Sequence, residues 1–242
     1  MKVAQAKQIN QTSILVVDDQ ALIREGLMAL INRHPDLTCC GEASNTTEMF
    51  KQVEALKPDL MLLDLWLNNG DGLETIKTLK SRFPDMRILV LSQFDEKLYA
   101  ERVLRAGARG YVMKEQGIKE VMTAIRTVLA GELYVSSKIA ALVLHKTVEI
   151  NSGKRKNGID NLTDRELQIL RLLGSGMATK KIAAEFNLSF KTVESHRENI
   201  KHKLELGDAV ELIRYASEWV QGQGRPTIYE EPPSTVSREV MP

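Results

Sequence analysis

Residues 14–19 read ILVVDD, a run of four apolar residues followed directly by two aspartates. A short apolar run that ends in polar residues is typical of a strand buried on both faces of a parallel sheet. Three more runs along the chain are each followed by a polar side chain: Leu60–Leu63 by Asp64, Ile88–Leu91 by Ser92, and Gly110–Met113 by Lys114. Because the carboxyl ends of parallel strands meet at one edge of a sheet, where open α/β folds bind ligands, we expect these side chains to converge.

Helical patterns separate the predicted strands. Apolar residues recur at helical spacing after Asp19, and a further strand is expected near Leu37–Ala43. More helices are expected at 46–56, before 82, at 96–106 and at 118–130. Five strands alternating with five helices predict an α/β fold, a five-stranded parallel doubly wound sheet with right-handed crossovers. We assign this domain to residues 13–131, after an N-terminal extension of residues 1–12.

The second half of the chain has a purely helical pattern, which begins at Leu162. Helix caps are expected at four places, namely a capping box of Thr163 with Glu166, and single caps at Thr179, Ser189 and Asp208. These caps predict an all-α domain of four helices over residues 161–222. Residues 132–160 are expected to hold a helix and a polar linker, and the proline-containing residues 223–242 to form a disordered tail.

The composition excludes several classes of protein. The two cysteines, Cys39 and Cys40, are adjacent, so neither a disulfide framework nor a zinc site is expected. No stretch approaches the ~18 consecutive apolar residues of a membrane span, and the N-terminus has no apolar core of a secretory signal. We therefore expect a cytoplasmic protein without a membrane partner. The net charge is only +1, so DNA binding has to be argued from a local arrangement of side chains.

The acids at the predicted sheet edge suit phosphoryl chemistry. A carboxylate can attack phosphorus and become an aspartyl phosphate, provided that a metal offsets the repulsion between anions. Mg²⁺ prefers oxygen ligands and takes one or two protein carboxylates, and Asp19 and Asp64 suit that role, with Asp18 beside them. Lys114 can pair with one phosphate oxygen, and Ser92 can donate a hydrogen bond to another.

The segments ILVVDD, MLLDLWLNNGDGLE, LVLS and GYVMK, in this order, resemble the receiver domain of two-component response regulators, which has a flavodoxin-like fold. The resemblance implies Asp64 as the phosphoacceptor and Mg²⁺ as the cofactor. It implies that Asp18, Asp19, Asp64 and the backbone carbonyl of Trp66 hold the metal, that Ser92 and Tyr111 are the switch residues, and that Lys114 pairs with the phosphate. The family usually has a proline four residues after the phosphoacceptor. Asn68 stands there in this chain, which leaves the rigidity of that loop open.

A short helix, a tight turn and a helix that begins SFKTVESHR indicate a helix-turn-helix. The second helix is expected to enter the major groove of DNA, with Lys191 and Thr192 suited to phosphate contacts. The candidate DNA-binding residues are Lys191, Thr192, Glu194, Ser195, Arg197, Glu198 and Lys201, and Lys203 adds positive charge. Glu194 and Glu198 either accept hydrogen bonds from cytosine or only solvate the outer face of the helix.

The run LTDRELQILRLLGSGMATKKIAAEFNLSFKTVESHRENIKHKL resembles the LuxR-type helix-turn-helix of NarL/FixJ-class response regulators. This resemblance implies a transcription regulator. In that family the helix corresponding to residues 208–220 commonly pairs two DNA-binding domains. The candidate dimer residues are Val210, Ile213, Tyr215 and Trp219, although Tyr215 and Trp219 suit a place in the core equally well.

Together these resemblances predict a DNA-binding regulator controlled by phosphorylation rather than an enzyme. A sensor histidine kinase would phosphorylate Asp64, and the protein would then bind double-stranded promoter half-sites as a homodimer. One alternative is a regulator that works without phosphorylation or through a ligand. The other is a Mg²⁺-dependent aspartyl-phosphate phosphatase, which needs a carboxylate two residues after the nucleophile, where this chain has Trp66.

Overall fold

Five parallel strands form a single sheet in the order β2-β1-β3-β4-β5. The computed structural model describes residues 11–67, 72–142 and 158–223. The strands are β1 (Thr12–Val17), β2 (Leu37–Ala43), β3 (Leu60–Asp64), β4 (Arg87–Ser92) and β5 (Gly110–Met113). The predicted doubly wound α/β fold is therefore confirmed.

Helices cover both faces of this sheet. They are α1 (Ala21–Asn32), α2 (Thr46–Leu56), α3 (Gly72–Arg82), α4 (Glu96–Ala106) and α5 (Ile118–Leu129). Alternate residues of each strand point to opposite faces. In β1, Ile14 and Val16 pack in one apolar cluster with α1 and α5, whereas Leu15 and Val17 pack in another with α2, α3 and α4. Burial on both faces explains why the strands are continuous apolar runs.

The C-terminal domain contains four helices that follow a 3₁₀ turn at Gly158–Asn161. They are α6 (Asp164–Gly174), α7 (Thr179–Glu185), α8 (Phe190–Leu204) and α9 (Ala209–Gln223). Helices α6 and α9 approach so closely that a Cβ atom at Gly174 would lie 2.2 Å from the carbonyl oxygen of Ala216. The helices share one core, and its fully buried side chains include Leu167, Leu170, Ile182, Val193, Ile200 and Leu212. The four-helix prediction is also confirmed.

Most of the predicted helix caps are present. Thr163 and Glu166 form the capping box of α6, and Ser189 Oγ accepts a hydrogen bond from the backbone N–H of Thr192. The prediction that Thr179 caps α7 is wrong, because Ala178 occupies the cap position. The Thr179 hydroxyl instead accepts a hydrogen bond from Arg197 of α8, at 2.9 Å. The Thr179 side chain thus makes a tertiary contact instead of the helix cap that the local sequence predicts.

Several sequence-based expectations fall wholly or largely on parts of the chain outside the described residues. They concern the N-terminal extension, the loop at Asn68, most of the linker and the C-terminal tail. The helix expected from residue 136 is visible over residues 137–142, where the described part of that segment ends.

Candidate phosphorylation site and DNA-binding surface

The acids, the serine and the lysine singled out in the sequence do meet at one edge of the sheet. Strands β1, β3, β4 and β5 are consecutive neighbours, and the register pairs Val17 with Leu63, Asp64 with Leu91, and Ser92 with Met113. The carboxyl ends of the four strands are therefore level. This alignment brings the residues that end or directly follow each strand into one pocket.

The Lys114 ammonium bridges two of the acids. Its Nζ atom lies 2.6 Å from Asp18 Oδ2 and 3.0 Å from Asp64 Oδ2. Carboxylate oxygens of Asp18, Asp19 and Asp64 all lie within 4.8 Å of one another. Three hard oxygen donors at this separation fit a divalent cation such as Mg²⁺, which binds through a small number of carboxylates and keeps several waters.

Burial sets the electrostatics of this pocket. Asp64 is only 5% exposed, and its burial raises the pKa of the carboxyl to about 6, although Lys114 opposes that shift and Asp18 adds to it. A buried carboxylate with another acid beside it favours proton uptake, and the Lys114 ammonium offsets this only in part. A metal at this position would hold the group in the ionised form that attacks phosphorus.

The main chain after Asp64 also lies against the carboxylate. The backbone N–H of Trp66 donates a hydrogen bond to Asp64 Oδ1 at 3.3 Å. The Trp66 ring makes edge contacts with Phe94 and Tyr99. The position two residues after Asp64 therefore contributes backbone atoms to the pocket and an apolar ring to its wall.

Ser92 and Tyr111 are both buried and are linked through Phe94. Ser92 Oγ accepts a hydrogen bond from the Phe94 N–H at 3.2 Å, and the Tyr111 hydroxyl donates one to the Phe94 carbonyl at 2.8 Å. Burial raises the pKa of Tyr111, which keeps this hydroxyl protonated as a donor. A movement of Ser92 would therefore act on Phe94 and Tyr111 through these two hydrogen bonds.

Helices α7 and α8 form the helix-turn-helix. The turn between α7 and α8 contains Asn187 in a left-handed conformation, with φ of 53°. Val193 and Ile200 of α8 point into the core, and Lys191, Ser195 and Glu198 are exposed. The outer face of α8 is thus open to a partner.

Several charged side chains of α8 are already paired within the domain. Arg197 donates hydrogen bonds to Glu194 at 2.7 Å and to Thr179, and its side chain is only 16% exposed. Lys201 lies 2.9 Å from Glu198. Lys203, which the sequence suggested as a source of local positive charge, instead lies 2.6 Å from the buried Glu166. Arg197 and Lys203 thus hold the domain together, and Lys191 is the more exposed cation.

The candidate dimer residues on α9 divide into two groups. Val210 is 75% exposed and Ile213 is 39% exposed, whereas Tyr215 and Trp219 pack partly against the core. A contiguous exposed apolar patch, rather than a single exposed side chain, is typical of a surface that another protein covers. Val210 and Ile213, three residues apart on α9, are thus the exposed members of the candidate dimer residues.

Comparison with known proteins gives the family. A model described as "Response regulator receiver domain" matches residues 14–126, and a model described as "Bacterial regulatory proteins, luxR family" matches residues 160–216. The Oxygen regulatory protein NreC of Staphylococcus aureus is 36% identical over 207 residues, which cover 84% of this chain and 95% of that protein. The chain is a response regulator of the NarL/FixJ class. As such it is a phosphorylation-dependent transcription regulator with a LuxR-type DNA-binding domain.

Solved structures agree with this response-regulator fold. RcsB of Salmonella typhimurium is 23% identical and superposes with a TM-score of 0.69 over 86% of this chain and 98% of its own. A LuxR-family two-component response regulator from Aurantimonas is 31% identical, with a TM-score of 0.54 over 57% of this chain and 99% of its own. Within the described residues, the response regulator has no helix with the length and apolar character needed to span a bilayer.

Proposed function

We propose that Asp64 is the phosphoacceptor of this response regulator and that a sensor histidine kinase supplies the phosphoryl group. The observation that carries the proposal is the bridge from the Lys114 ammonium to both Asp18 and Asp64, next to the buried Ser92. An Asp64 oxygen would bond to phosphorus as the bond from phosphorus to the donor nitrogen breaks, and the histidine would leave with the electron pair of that bond.

Each neighbour of Asp64 would then have a distinct role in our proposal. Lys114 would turn from the free carboxylate to a phosphoryl oxygen, and Ser92 Oγ would donate a hydrogen bond to another oxygen. Tyr111 would follow the Ser92 segment through its hydrogen bond to Phe94. The chemistry of the donors fits Mg²⁺ on Asp18, Asp19, Asp64 and the Trp66 carbonyl, where the metal would offset repulsion between the carboxylates and the incoming phosphoryl group.

We assign the contacts with DNA to the outer face of α8. RcsB from Salmonella enterica serovar Typhimurium has been solved bound to the promoter rprA in the presence of the phosphomimetic BeF₃⁻. By analogy, Lys191 and Thr192 would meet phosphates, and Ser195, Glu194, Glu198 and Lys201 would lie nearest to base edges. Arg197 would act mainly by fixing the position of Glu194.

The proposed active form is a homodimer on two half-sites in the cytoplasm. Another RcsB structure contains two dimers bound to two parallel DNAs. In the present protein, Val210 and Ile213 of α9 would form the contact between DNA-binding domains, with Tyr215 and Trp219 supporting them from the edge of the core. We retain domain limits of 13–131 and 161–222, joined by the helix and linker of residues 132–160.

We propose that the protein has no catalytic turnover of its own. An aspartyl-phosphate phosphatase needs an acid two residues after its nucleophile, and here the Trp66 side chain packs against Phe94 and Tyr99. Without an acid at that position, release of the phosphoryl group would be slow and the phosphorylated state would persist as a signal.

Phosphorylation-dependent DNA binding provides the test. The full-length protein is incubated with Mg²⁺ and acetyl phosphate, and bound sequences are selected from random DNA and compared with those of Asp64→Asn. We expect paired half-sites about one helical turn apart for the phosphorylated protein and a much weaker enrichment for the variant. Equal enrichment by the two proteins would contradict the proposal and support a regulator that works without phosphorylation.

A further inference from the structure

The loop that carries Asp18 and Asp19 leads directly into α1, and an arginine stands near the start of that helix. Arg24 lies four residues after Gln20, whose carbonyl accepts the first hydrogen bonds of α1. A cation near the amino end of a helix gains nothing from the helix dipole, which favours anions there. The stability of α1 therefore does not account for Arg24 at this position.

The Arg24 guanidinium instead makes two hydrogen bonds outside its own helix. Its Nη1 atom donates to the backbone carbonyl of Asp18 at 2.8 Å, and its Nε atom donates to Glu42 Oε2 of β2, also at 2.8 Å. The Arg24 side chain is only 15% exposed. Because a guanidinium offers its donors in a fixed planar fork, these two bonds hold the group in one orientation.

The sheet places Glu42 where it can orient this guanidinium. The register pairs Glu42 with Val16, and Val16 packs on the face of the sheet that α1 covers. Paired residues of neighbouring parallel strands point to the same face, so the Glu42 side chain is directed toward α1. Its carboxylate also offsets the positive charge of Arg24 beside the acids.

Asp18 is held in place through both its main chain and its side chain. Its N–H donates to the Ala43 carbonyl at 3.1 Å, and its own carbonyl accepts the bond from Arg24. Its Oδ1 atom accepts from the Gln20 N–H at 3.0 Å, and its Oδ2 atom lies 2.6 Å from Lys114 Nζ. The protein alone therefore fixes the position of Asp18.

The Asp19 carboxylate has no such support. Among the described residues it makes no hydrogen bond or ion pair, and it is more exposed than that of Asp18. Its direction therefore depends on the main chain, and first on the peptide unit that joins Asp18 to Asp19. A peptide unit is planar and rigid, so the bond from Arg24 to its oxygen restricts the whole unit.

We propose that Arg24 is a positioning residue for the metal site, which holds the peptide unit between Asp18 and Asp19 so that the Asp19 carboxylate faces Asp64, and that Glu42 orients Arg24. The inference rests on the proposed Mg²⁺ site. Mg²⁺ demands a near-ideal arrangement of its oxygen ligands. Loss of a residue that orients a metal ligand typically lowers metal affinity by about 10- to 100-fold.

The first test measures Mg²⁺ binding in the absence of a phosphodonor. The chain has two tryptophans, so Trp219→Phe leaves Trp66, whose N–H is bonded to Asp64, as the single emitter. MgCl₂ is added stepwise to the full-length protein in that background, and Trp66 emission gives the Kd. If the emission does not respond, the Mg²⁺ dependence of urea unfolding gives the same constant.

We expect Arg24→Met to raise the Kd for Mg²⁺ about tenfold, because the support of Asp19 is lost. Arg24→Lys keeps the charge but cannot reach both acceptors with a fixed fork, so it should raise the Kd about threefold or more. Glu42→Gln keeps a weaker acceptor for Arg24 and should raise the Kd to a similar extent as Arg24→Lys.

The sign of the effect separates positioning from charge. If Arg24 acted only as a cation near the acids, its removal would strengthen Mg²⁺ binding, because one repulsive charge would be lost. A Kd for Arg24→Met that is equal to or lower than that of wild type would therefore overturn the inference. If Arg24→Met does not fold, unchanged Kd values for Arg24→Lys and Glu42→Gln would overturn it.

Arg126→Met is the matched control. Arg126 of α5 also donates two hydrogen bonds to one acid, Asp36, which precedes β2 at the edge of the sheet opposite the pocket. Its loss removes an exposed ion pair and should change the Kd for Mg²⁺ by less than about twofold. An equal rise for Arg126→Met and Arg24→Met would assign the effect to a general loss of stability and would also overturn the inference.

The second test measures the rate at which acetyl phosphate modifies Asp64 as the Mg²⁺ concentration is raised, using intact mass. Arg24→Met should need about tenfold more Mg²⁺ for half of its maximal rate and should approach the wild-type rate at saturating metal. A lower maximal rate with an unchanged Mg²⁺ requirement would refute the positioning role. Mg²⁺ binding that depends on Arg24, without phosphate on Asp64 of the wild type, would support the inference and refute the proposed function.

Discussion

At the scale of single residues, the Lys114 ammonium compensates the negative charge of the acids in the pocket. Its ammonium lies 2.6 Å from Asp18 and 3.0 Å from Asp64, and both carboxylates are almost completely buried. An ion pair at such a site is costly to break, because removal of one partner leaves a buried charge without compensation. Lys114 therefore has a structural role before any phosphoryl group arrives.

Replacement of this lysine should destabilise the receiver domain. We expect Lys114→Met to lower the free energy of unfolding by about 3 kcal/mol, because two buried carboxylates lose their cation. Mg²⁺ should restore part of that loss by binding to the same oxygens. Urea unfolding of the full-length protein with and without Mg²⁺ measures both effects.

Lys77→Met is the control for this measurement. Lys77 is paired with Asp164, but its side chain is 48% exposed, so its loss should cost less than about 1 kcal/mol. A Lys114→Met variant as stable as wild type in the absence of Mg²⁺ would contradict the role that we give to the lysine.

At the scale of secondary-structure elements, α8 combines an apolar inner face with an outer face of mixed charge. The pairs Arg197–Glu194 and Lys201–Glu198 partly neutralise that outer face. Affinity for the DNA backbone depends on cations that meet phosphates. The exposed Lys191 at the start of the helix is therefore expected to contribute more to affinity than Arg197 does.

Substitutions at the start of α8 should separate affinity from specificity. Lys191→Ala should weaken binding to all sequences alike and reduce the salt dependence by about one phosphate contact. Glu194→Ala should change the preferred base at one position, because a glutamate accepts a hydrogen bond from cytosine. Binding isotherms at several salt concentrations and a new selection of DNA sequences measure the two effects.

The exposed Lys51 of α2 provides a control on charge alone, and Lys51→Ala should leave DNA affinity unchanged. An unaltered base preference for Glu194→Ala would assign that glutamate to solvation of the helix. Both readings of Glu194 were open from the sequence, and its hydrogen bond with Arg197 does not by itself decide between them.

Helix α9 should determine whether two DNA-binding domains cooperate. Val210→Asp places a charge on an apolar side chain that is 75% exposed, so the monomer should remain folded. We expect the affinity of the phosphorylated protein for two adjacent half-sites to fall about tenfold or more, because linked binding is lost. Affinity for a single half-site serves as the internal control and should not change. Equal losses on both DNAs would place Val210 outside the dimer contact.

At the scale of the whole molecule, the sequence predicted the features that depend on local patterns. The buried strands were predicted from runs such as ILVVDD, and the site from the polar residues that end them, because parallel strands are level at one edge. Helix caps such as Ser189 depend on residues only three positions apart, so the sequence also predicts them. The cap prediction failed at Thr179, because its side chain is hydrogen-bonded to Arg197 of another helix.

The contact between the two domains could not be predicted from the sequence. The guanidinium of Arg171 lies over the rings of Trp66 and Phe94. Arg171 lies in α6, and the apolar stripe of that helix accounts for its packing without Arg171. Trp66 and Phe94 follow two different strands. Nothing in their spacing indicates that they meet, because the contact depends on how one folded domain docks on another. The available clue was the position of the two aromatic residues. Phe94 lies two residues after Ser92 and Trp66 two residues after Asp64, so both border the predicted pocket.

The central claim is that Asp64 accepts a phosphoryl group in a pocket built by Asp18, Asp19 and Lys114. The most direct measurement incubates the full-length protein with Mg²⁺ and acetyl phosphate and determines the intact mass and the modified residue. We predict a single alkali-labile phosphoryl group on Asp64, which is absent in Asp64→Asn and when the metal is removed with a chelator. Phosphate on another residue, or none on Asp64 in the presence of Mg²⁺, would contradict the account.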